Sequence, residues 1–502
     1  MFRNRSLAAL CTGLMLSLGY QMCAAQPGTP VYQTRSADNQ SDAADTSSRK
    51  STANTESDSK VESAANGESI SELSKRMSKF EEFIDKQKEE EAKKKEAASK
   101  KPSMRIGGRI HLDHWAFPAT SRGIDFLENP VNGNDPEDRF LFRRIRLEIE
   151  GDIMETMLYR VQVDFNNPAT PEYKDVYLGF QNLPYNQMLA IGNQKRPLGL
   201  DHLNSSRFNV FAERPLVIEA FNEDSRRLGM LVYGYTDDEV YNWRYGVFNL
   251  ENTTSTGRYI GDSLQLSANA RLASTPWYDE SSGGRDYFHW AVAGMLAHPD
   301  GDAGAPDSNA NEGRFRTRPE MRSSNRWLDT GAIPGADWYE ILGLEAMLNI
   351  GSLQITAEYQ SNWLQRDNLT VGTGPDLNFH GSYVYVAYFL TGEHMAFDRQ
   401  SGTLDRAVPF ENFYLVDRCR GGSGHGWGAW QMALRYSHLD LTDRDIRGGV
   451  ENNLTYDLNW YWTSHSKLQF SATYGDIDNH EPVGGFTSGH FTGLGTRVQV
   501  DF

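Results

Sequence analysis

The chain of 502 residues has only three cysteines, almost no lysine over its last 400 residues and no long apolar run. Each shortage excludes something. Cys11 and Cys23 lie near the start, so Cys419 stands alone and no internal disulfide framework is available. A catalytic role for Cys419 needs a base, and His425 is the only local candidate; an incidental loop thiol is the plainer reading. A mean hydropathy of −0.60 excludes a bundle of membrane-spanning helices. What is abundant points elsewhere. Aromatics at 12% with 45 glycines make a β-rich composition, where a disordered chain would be aromatic-poor. Low hydropathy leaves one membrane class open. A large β-barrel crosses a bilayer with half of each strand polar.

Residues 1–25 read as a secretory signal, with Arg3 and Arg5, then an apolar run, then Cys23, Ala24 and Ala25 as a small-residue cleavage site. A lipoprotein signal would have small residues before Cys23, but Gln21 and Met22 stand there. At the other end, Thr496, Val498, Val500 and Phe502 alternate with Arg497, Gln499 and Asp501. A strand ending on a C-terminal aromatic resembles the last strand of bacterial outer-membrane barrels.

Residues 26–66 are rich in Ser, Ala, Asp and Thr and read as a disordered linker. In residues 67–101, Ile70, Leu73, Met77, Phe80 and Ile84 form a heptad seam, followed by a charged run. A short coiled coil joining copies of the chain is expected there. A single amphipathic helix is the alternative. From residue 103 to 502 the period becomes two. The alternating segments number sixteen, which predicts an all-β, closed antiparallel transmembrane barrel enclosing an aqueous channel. Leu264, Leu266, Ala268, Ala270 and Leu272 would face lipid, with Gln265, Ser267, Asn269 and Arg271 facing the lumen. Leu454, Tyr456, Leu458, Trp460 and Trp462 repeat the pattern, with the tryptophans suited to an interfacial girdle. Long connections are expected near 116–139, 195–226, 299–337 and 362–381, and short ones between them. Residues 274–286 and 392–427 break that rule, and a long turn folded into the channel would explain the second.

Beyond residue 102 there are 31 arginines, three lysines and 52 acidic residues. The acidic excess does not set selectivity; the charges at the constriction do. Choosing Arg over Lys favours fixed, planar donors for carboxylate or phosphate. Arg314, Arg316 and Arg318 would share one face of an extended chain, about 6.5–7 Å apart, as a ladder for anions. A solvated loop answering Glu312 and Glu320 is the alternative. In the strand beginning near Leu141, Arg144 and Arg146 take the lumen phase with Glu148 and Glu150. Arg143 falls out of phase, which requires a bulge or another direction.

These stretches resemble a family, the phosphate-selective porins O and P, over about 400 residues. The resemblance rests on Ile106-Gly-Gly-Arg109, Phe142-Arg-Arg144, Lys174-Asp-Val-Tyr177, Ile191-Gly-Asn-Gln-Lys195, Ser205-Ser-Arg207 and Ala212-Glu-Arg214, in order. It implies a trimeric sixteen-stranded barrel in the outer membrane, with loops and one turn folded inward. It also implies an anion site of Arg143, Arg144, Asp175, Ser206 and Arg207, with an arginine ladder above it. Arg214 matches that ladder well, and Arg314, Arg316 and Arg318 match by richness alone. The family usually has Lys where Arg207 stands. The expected function is passive diffusion of phosphate, polyphosphate or other small anions. A general porin for small hydrophilic solutes and an envelope tether through residues 67–101 are the alternatives. No metalloprotease or serine-hydrolase motif is present, and His111 and His114 sit on opposite strand faces. No cofactor, metal or nucleic-acid partner is expected.

Overall fold

The computed structural model describes residues 101–222, 226–251, 265–299, 313–367, 374–417 and 422–502. The signal, linker and coiled-coil expectations for residues 1–100, and Cys419, lie outside the described residues.

Sixteen antiparallel strands close into one barrel. They are β1 Arg105–Thr120, β2 Arg139–Met154, β3 Met157–Asp164, β4 Glu172–Leu183, β5 Gln187–Gln194, β6 Arg227–Tyr235, β7 Tyr241–Asn249 and β8 Leu266–Tyr278. The second half is β9 Asp286–His298, β10 Ala336–Ile350, β11 Leu353–Arg366, β12 Leu377–Phe389, β13 Ala429–Asp443, β14 Ile446–Thr463, β15 Ser466–His480 and β16 Gly489–Asp501. Closure is made by β1 against β16, with Arg109 opposite Asp501 and Asp113 opposite Arg497. The barrel sheet itself is left with no edge to recruit another chain.

Alternation decides the two faces. Leu266 and Leu272 are exposed on the outer wall, while Ser267, Asn269 and Arg271 are buried inside. Leu454, Tyr456, Phe470 and Tyr474 are exposed, and Thr455, Asp457, Asn459, Gln469 and Thr473 are buried. In a membrane the outer side chains meet lipid, and every strand's backbone is paired within the wall.

Two strands begin earlier than their alternation suggested: β12 at Leu377 rather than near Tyr383, and β14 at Ile446 rather than near Leu454. Their extra residues carry polar side chains on the outward phase, including His380, Ser382 and Asn452, so the apolar signal stops before the strand does. Expected loop 362–381 accordingly shrinks to residues 367–376. The segment 274–286 shrinks to 279–285, because β8 runs on past a register shift between Ser274 and Trp277 that accommodates Pro276.

The lumen is not simply an open channel. Residues 195–222 and 313–335 fold inward and bring their own apolar side chains. Leu216, Val217, Phe221, Phe315 and Trp327 join Tyr339, Leu364 and Phe379 of the wall in one buried cluster. Inward-facing aromatics of β10–β12 therefore pack against loops instead of water.

Candidate functional site

Residues 195–222 build the narrow part of the barrel. Their backbone crosses the lumen, so its polar groups need partners that water would otherwise supply. The far wall provides them. The Glu358 carboxylate accepts from the amides of Leu200 and Asp201, both at 2.8 Å. Asp457 accepts from the Ala212 amide at 2.9 Å. Asn459 and Gln469 donate to the Val210 carbonyl, Lys467 to that of Asn209 and Gln499 to that of Arg207. The loop is thereby stapled across the barrel.

The connection between β12 and β13 enters from the opposite end. Its tip pairs Phe397–Asp398 with Thr403–Leu404. Asn242 donates to the Arg399 carbonyl, Arg244 to that of Ser401 and Arg271 to that of Gly402. Gly402 has φ +62°, and a Cβ there would stand 2.7 Å from the Asn242 amide, so the tip requires glycine.

Between these two inserts and β1–β7 lies a cavity of about 240 Å³. Seven cationic side chains line it: Arg109, Arg146, Arg160, Lys195, Arg214, Arg226 and Arg244. Asp175 is the one carboxylate among the lining residues, with Ser205, Ser206, Tyr177 and Tyr233 completing much of the polar wall. Most of the cations are anchored from behind. Arg146 pairs with Asp164 at 2.7 Å, Arg160 with Glu148 at 3.0 Å, Arg214 with Asp201 at 3.2 Å and Arg226 with Asp175 at 2.9 Å. Arg109 lies 3.5 Å from Glu148 and donates to the hydroxyls of Ser205 and Ser206 at 3.2 and 2.9 Å. Lys195 and Arg244 differ. Among the described residues neither has a carboxylate at ion-pair distance. Lys195 donates to the carbonyls of Leu203 and Asn204, and Arg244 to Ser401 while its guanidinium lies over the Tyr233 ring. Burial, then the Arg226 and Arg214 guanidinium groups, push the Lys195 ammonium well below the usual lysine range. An anion entering the cavity would relieve that repulsion.

The residues nominated from sequence divide into groups. Asp175, Ser206 and Arg214 line the cavity. Arg207 instead binds Glu148 and lies 3.4 Å from Asp501, beside Arg406 and Lys467 in a smaller pocket. Arg143 and Arg144 also lie outside the cavity lining. The β1–β2 register shifts between His111 and Leu112, whose partners are Arg144 and Phe142, so Arg143 is the extra residue of a bulge. It forks onto Glu213 of the inward loop at 2.7 and 3.0 Å. Arg144 contacts His111 at 3.2 Å, and its Nε has no partner among the described residues. Burial alone would raise the Glu213 carboxyl, but Arg143 and Arg497 hold it well below the usual range. The three ladder arginines follow the alternation, since Phe315, Thr317 and Pro319 are buried while Arg314, Arg316 and Arg318 are not. Arg314 is forked onto Asp329, and Arg318 lies 3.6 Å from Glu219.

Sequence reasoning missed Arg109, Arg146, Arg160, Lys195, Arg226 and Arg244 as one group. Arg109, Arg146, Arg160 and Arg244 were all legible as lumen-phase residues of β1, β2, β3 and β7. The signal for their meeting was the strand register, which sets the height of each.

A closed barrel with a lipid-facing wall, a polar lumen and a constriction made by inward connections defines an outer-membrane porin, a channel. The chain belongs to the family of phosphate-selective porins O and P, whose model matches residues 120–502. Porin O of Pseudomonas aeruginosa is 22% identical over 436 residues, covering 80% of this chain and 88% of that protein. An uncharacterised protein of Caulobacter vibrioides is 28% identical over 419 residues, covering 80% of this chain and 74% of that one. Among solved structures, an anion-selective porin from Comamonas acidovorans gives a TM-score of 0.43 at 10% identity, covering 80% of this chain and 99% of that one. By the usual topology of such barrels, the end with short turns and both strand termini is periplasmic.

Proposed function

We propose that this porin conducts small anions passively, with phosphate preferred, through the cavity lined by Lys195 and Arg244. The observation that carries this is the pair of cations with no carboxylate partner among the described residues, within a ring of five further cations. The paired arginines keep their geometry through their anchors and offer outward N–H groups. The unpaired two supply net attraction. A phosphate would exchange part of its hydration for charge-assisted hydrogen bonds from Arg109, Arg226 and Lys195. Asp175 has lone pairs left to accept from a protonated phosphate oxygen, which sulfate lacks. Several donors at moderate strength suit conduction, since an ion held too tightly does not leave. The family's description as phosphate-selective supports phosphate as the preferred ion. The assembly we infer is a homotrimer in outer-membrane lipid. Single-channel recording in a potassium chloride gradient, with phosphate titrated in, tests the reading. Anion-directed reversal potentials and block of chloride current by phosphate are expected. Cation preference refutes it, and absence of block reduces the protein to a general porin.

A further inference from the structure

After leaving the lumen, the connection between β12 and β13 does something unrelated to the pore. It turns over the periplasmic rim and packs against the outside of the barrel. The Phe413 amide donates to the Trp462 carbonyl at 2.6 Å, and the Phe413 ring meets Trp460 at 4.7 Å. The Trp460 indole N–H donates to the Trp427 carbonyl at 2.8 Å, and Trp460 stacks on Trp430 at 4.9 Å. Upstream, the Phe410 amide donates to the buried Glu393 carboxylate at 3.0 Å. Trp460 and Trp462 have the same outward phase as Leu454 and Tyr456, so this is the lipid side of the wall. The segment covers those tryptophans and presents a new set of large apolar groups. Trp427 is 76% exposed, Phe410 67%, and Val408 and Tyr414 57% each.

Side chains of this size, grouped and exposed, mark an interaction surface. Their continuity with the lipid-facing wall at its periplasmic rim selects the occupant. Aromatic rings with polar edges concentrate where acyl chains meet headgroups. Polar residues Glu411 and Asn412 are exposed in the same stretch, as such a boundary requires. We propose that Val408, Phe410, Tyr414 and Trp427 form an aromatic foot seated in the periplasmic leaflet of the outer membrane, with phospholipid as its partner. One connection then reaches both the pore and the bilayer.

The test uses the full chain in vesicles of phosphatidylcholine brominated on the acyl carbons nearest the headgroup. The fluorescence difference between wild type and Trp427→Phe isolates this indole. Bromolipid should quench the difference signal, and aqueous iodide should not. Quenching by iodide without quenching by bromolipid overturns the proposal. A second measurement places cysteine at the foot, as Phe410→Cys in a Cys419→Ser background. Lipid seating predicts no disulfide-linked pairs in the membrane under oxidation. Efficient pairing assigns the face to a second copy of the chain and overturns the proposal as well.

Discussion

Replacing Lys195 by Gln removes one positive charge from the cavity while keeping a donor for the carbonyls of Leu203 and Asn204. A unit charge about 4 Å from an anion is worth about 4 kcal/mol at an effective dielectric of 20 and about 1 kcal/mol in bulk water. The cavity opens to water and carries other cations, so a loss of about 1–2 kcal/mol is expected. That is about five- to thirtyfold in the phosphate concentration that half-blocks chloride current. The reversal potential in a salt gradient should shift toward zero in the same variant. The pH dependence gives a second reading. The Lys195 ammonium is held below the usual lysine range, so its charge is present at low pH and lost as pH rises through that lowered value. Anion preference of the wild type should fall as pH rises through that lowered value, earlier than for a solvated lysine. The Gln variant should lack the step. The assay is bilayer recording at fixed chloride gradient over a series of pH values from acid to alkaline. Unchanged half-block and reversal potential in Lys195→Gln would refute the assignment of Lys195 as an uncompensated cation.

Arg143→Ala should loosen the inward loop by about 1–3 kcal/mol, less than the usual cost of breaking a buried pair, because Arg497 still holds Glu213 at 2.6 Å. Arg497→Met leaves both Asp113 and Glu213 short of a cation and should be worse. Limited proteolysis of residues 195–226 in reconstituted protein reads both. Replacing residues 396–405 by a short Gly-Ser linker should raise single-channel conductance, because the hairpin plugging the periplasmic side is gone. Equal conductance would show that the hairpin does not narrow the path. Deleting residues 67–101 should weaken the trimer on mild-detergent gels if that segment assembles copies, and leave it intact if it tethers the envelope.

The barrel was legible because lipid demands an uninterrupted outer face. Where it does not, as at His380 in β12 and Asn452 in β14, the pattern faded and strand starts moved. The insertion of the β12–β13 connection was legible from its unusual length and its arginines, whereas the part that packs outside the rim was not. The bulge at Arg143 was visible as a phase error in the alternation. The cavity was not visible. Arg160 and Arg244 lie 84 positions apart and meet only because β3 through β7 are paired in a particular register. Nor was the apolar cluster in the lumen foreseen, because the alternation around Phe315 gives its phase but not the loop and wall side chains that it meets.

The staples across the barrel carry a consequence for biogenesis. Ala212 is held by Asp457, 245 residues later, and its carbonyl by Arg497, 285 residues later. The loop that narrows the channel therefore completes its set of partners only when the final four strands are in place, although Arg143 of β2 and Glu358 of β11 already hold part of it. Contacts of such long sequence separation form late. A chain caught midway through insertion has wall but an incompletely fastened filter. Sealing the barrel and acquiring selectivity are then one event, which spares the membrane a wide unselective hole in a finished cylinder.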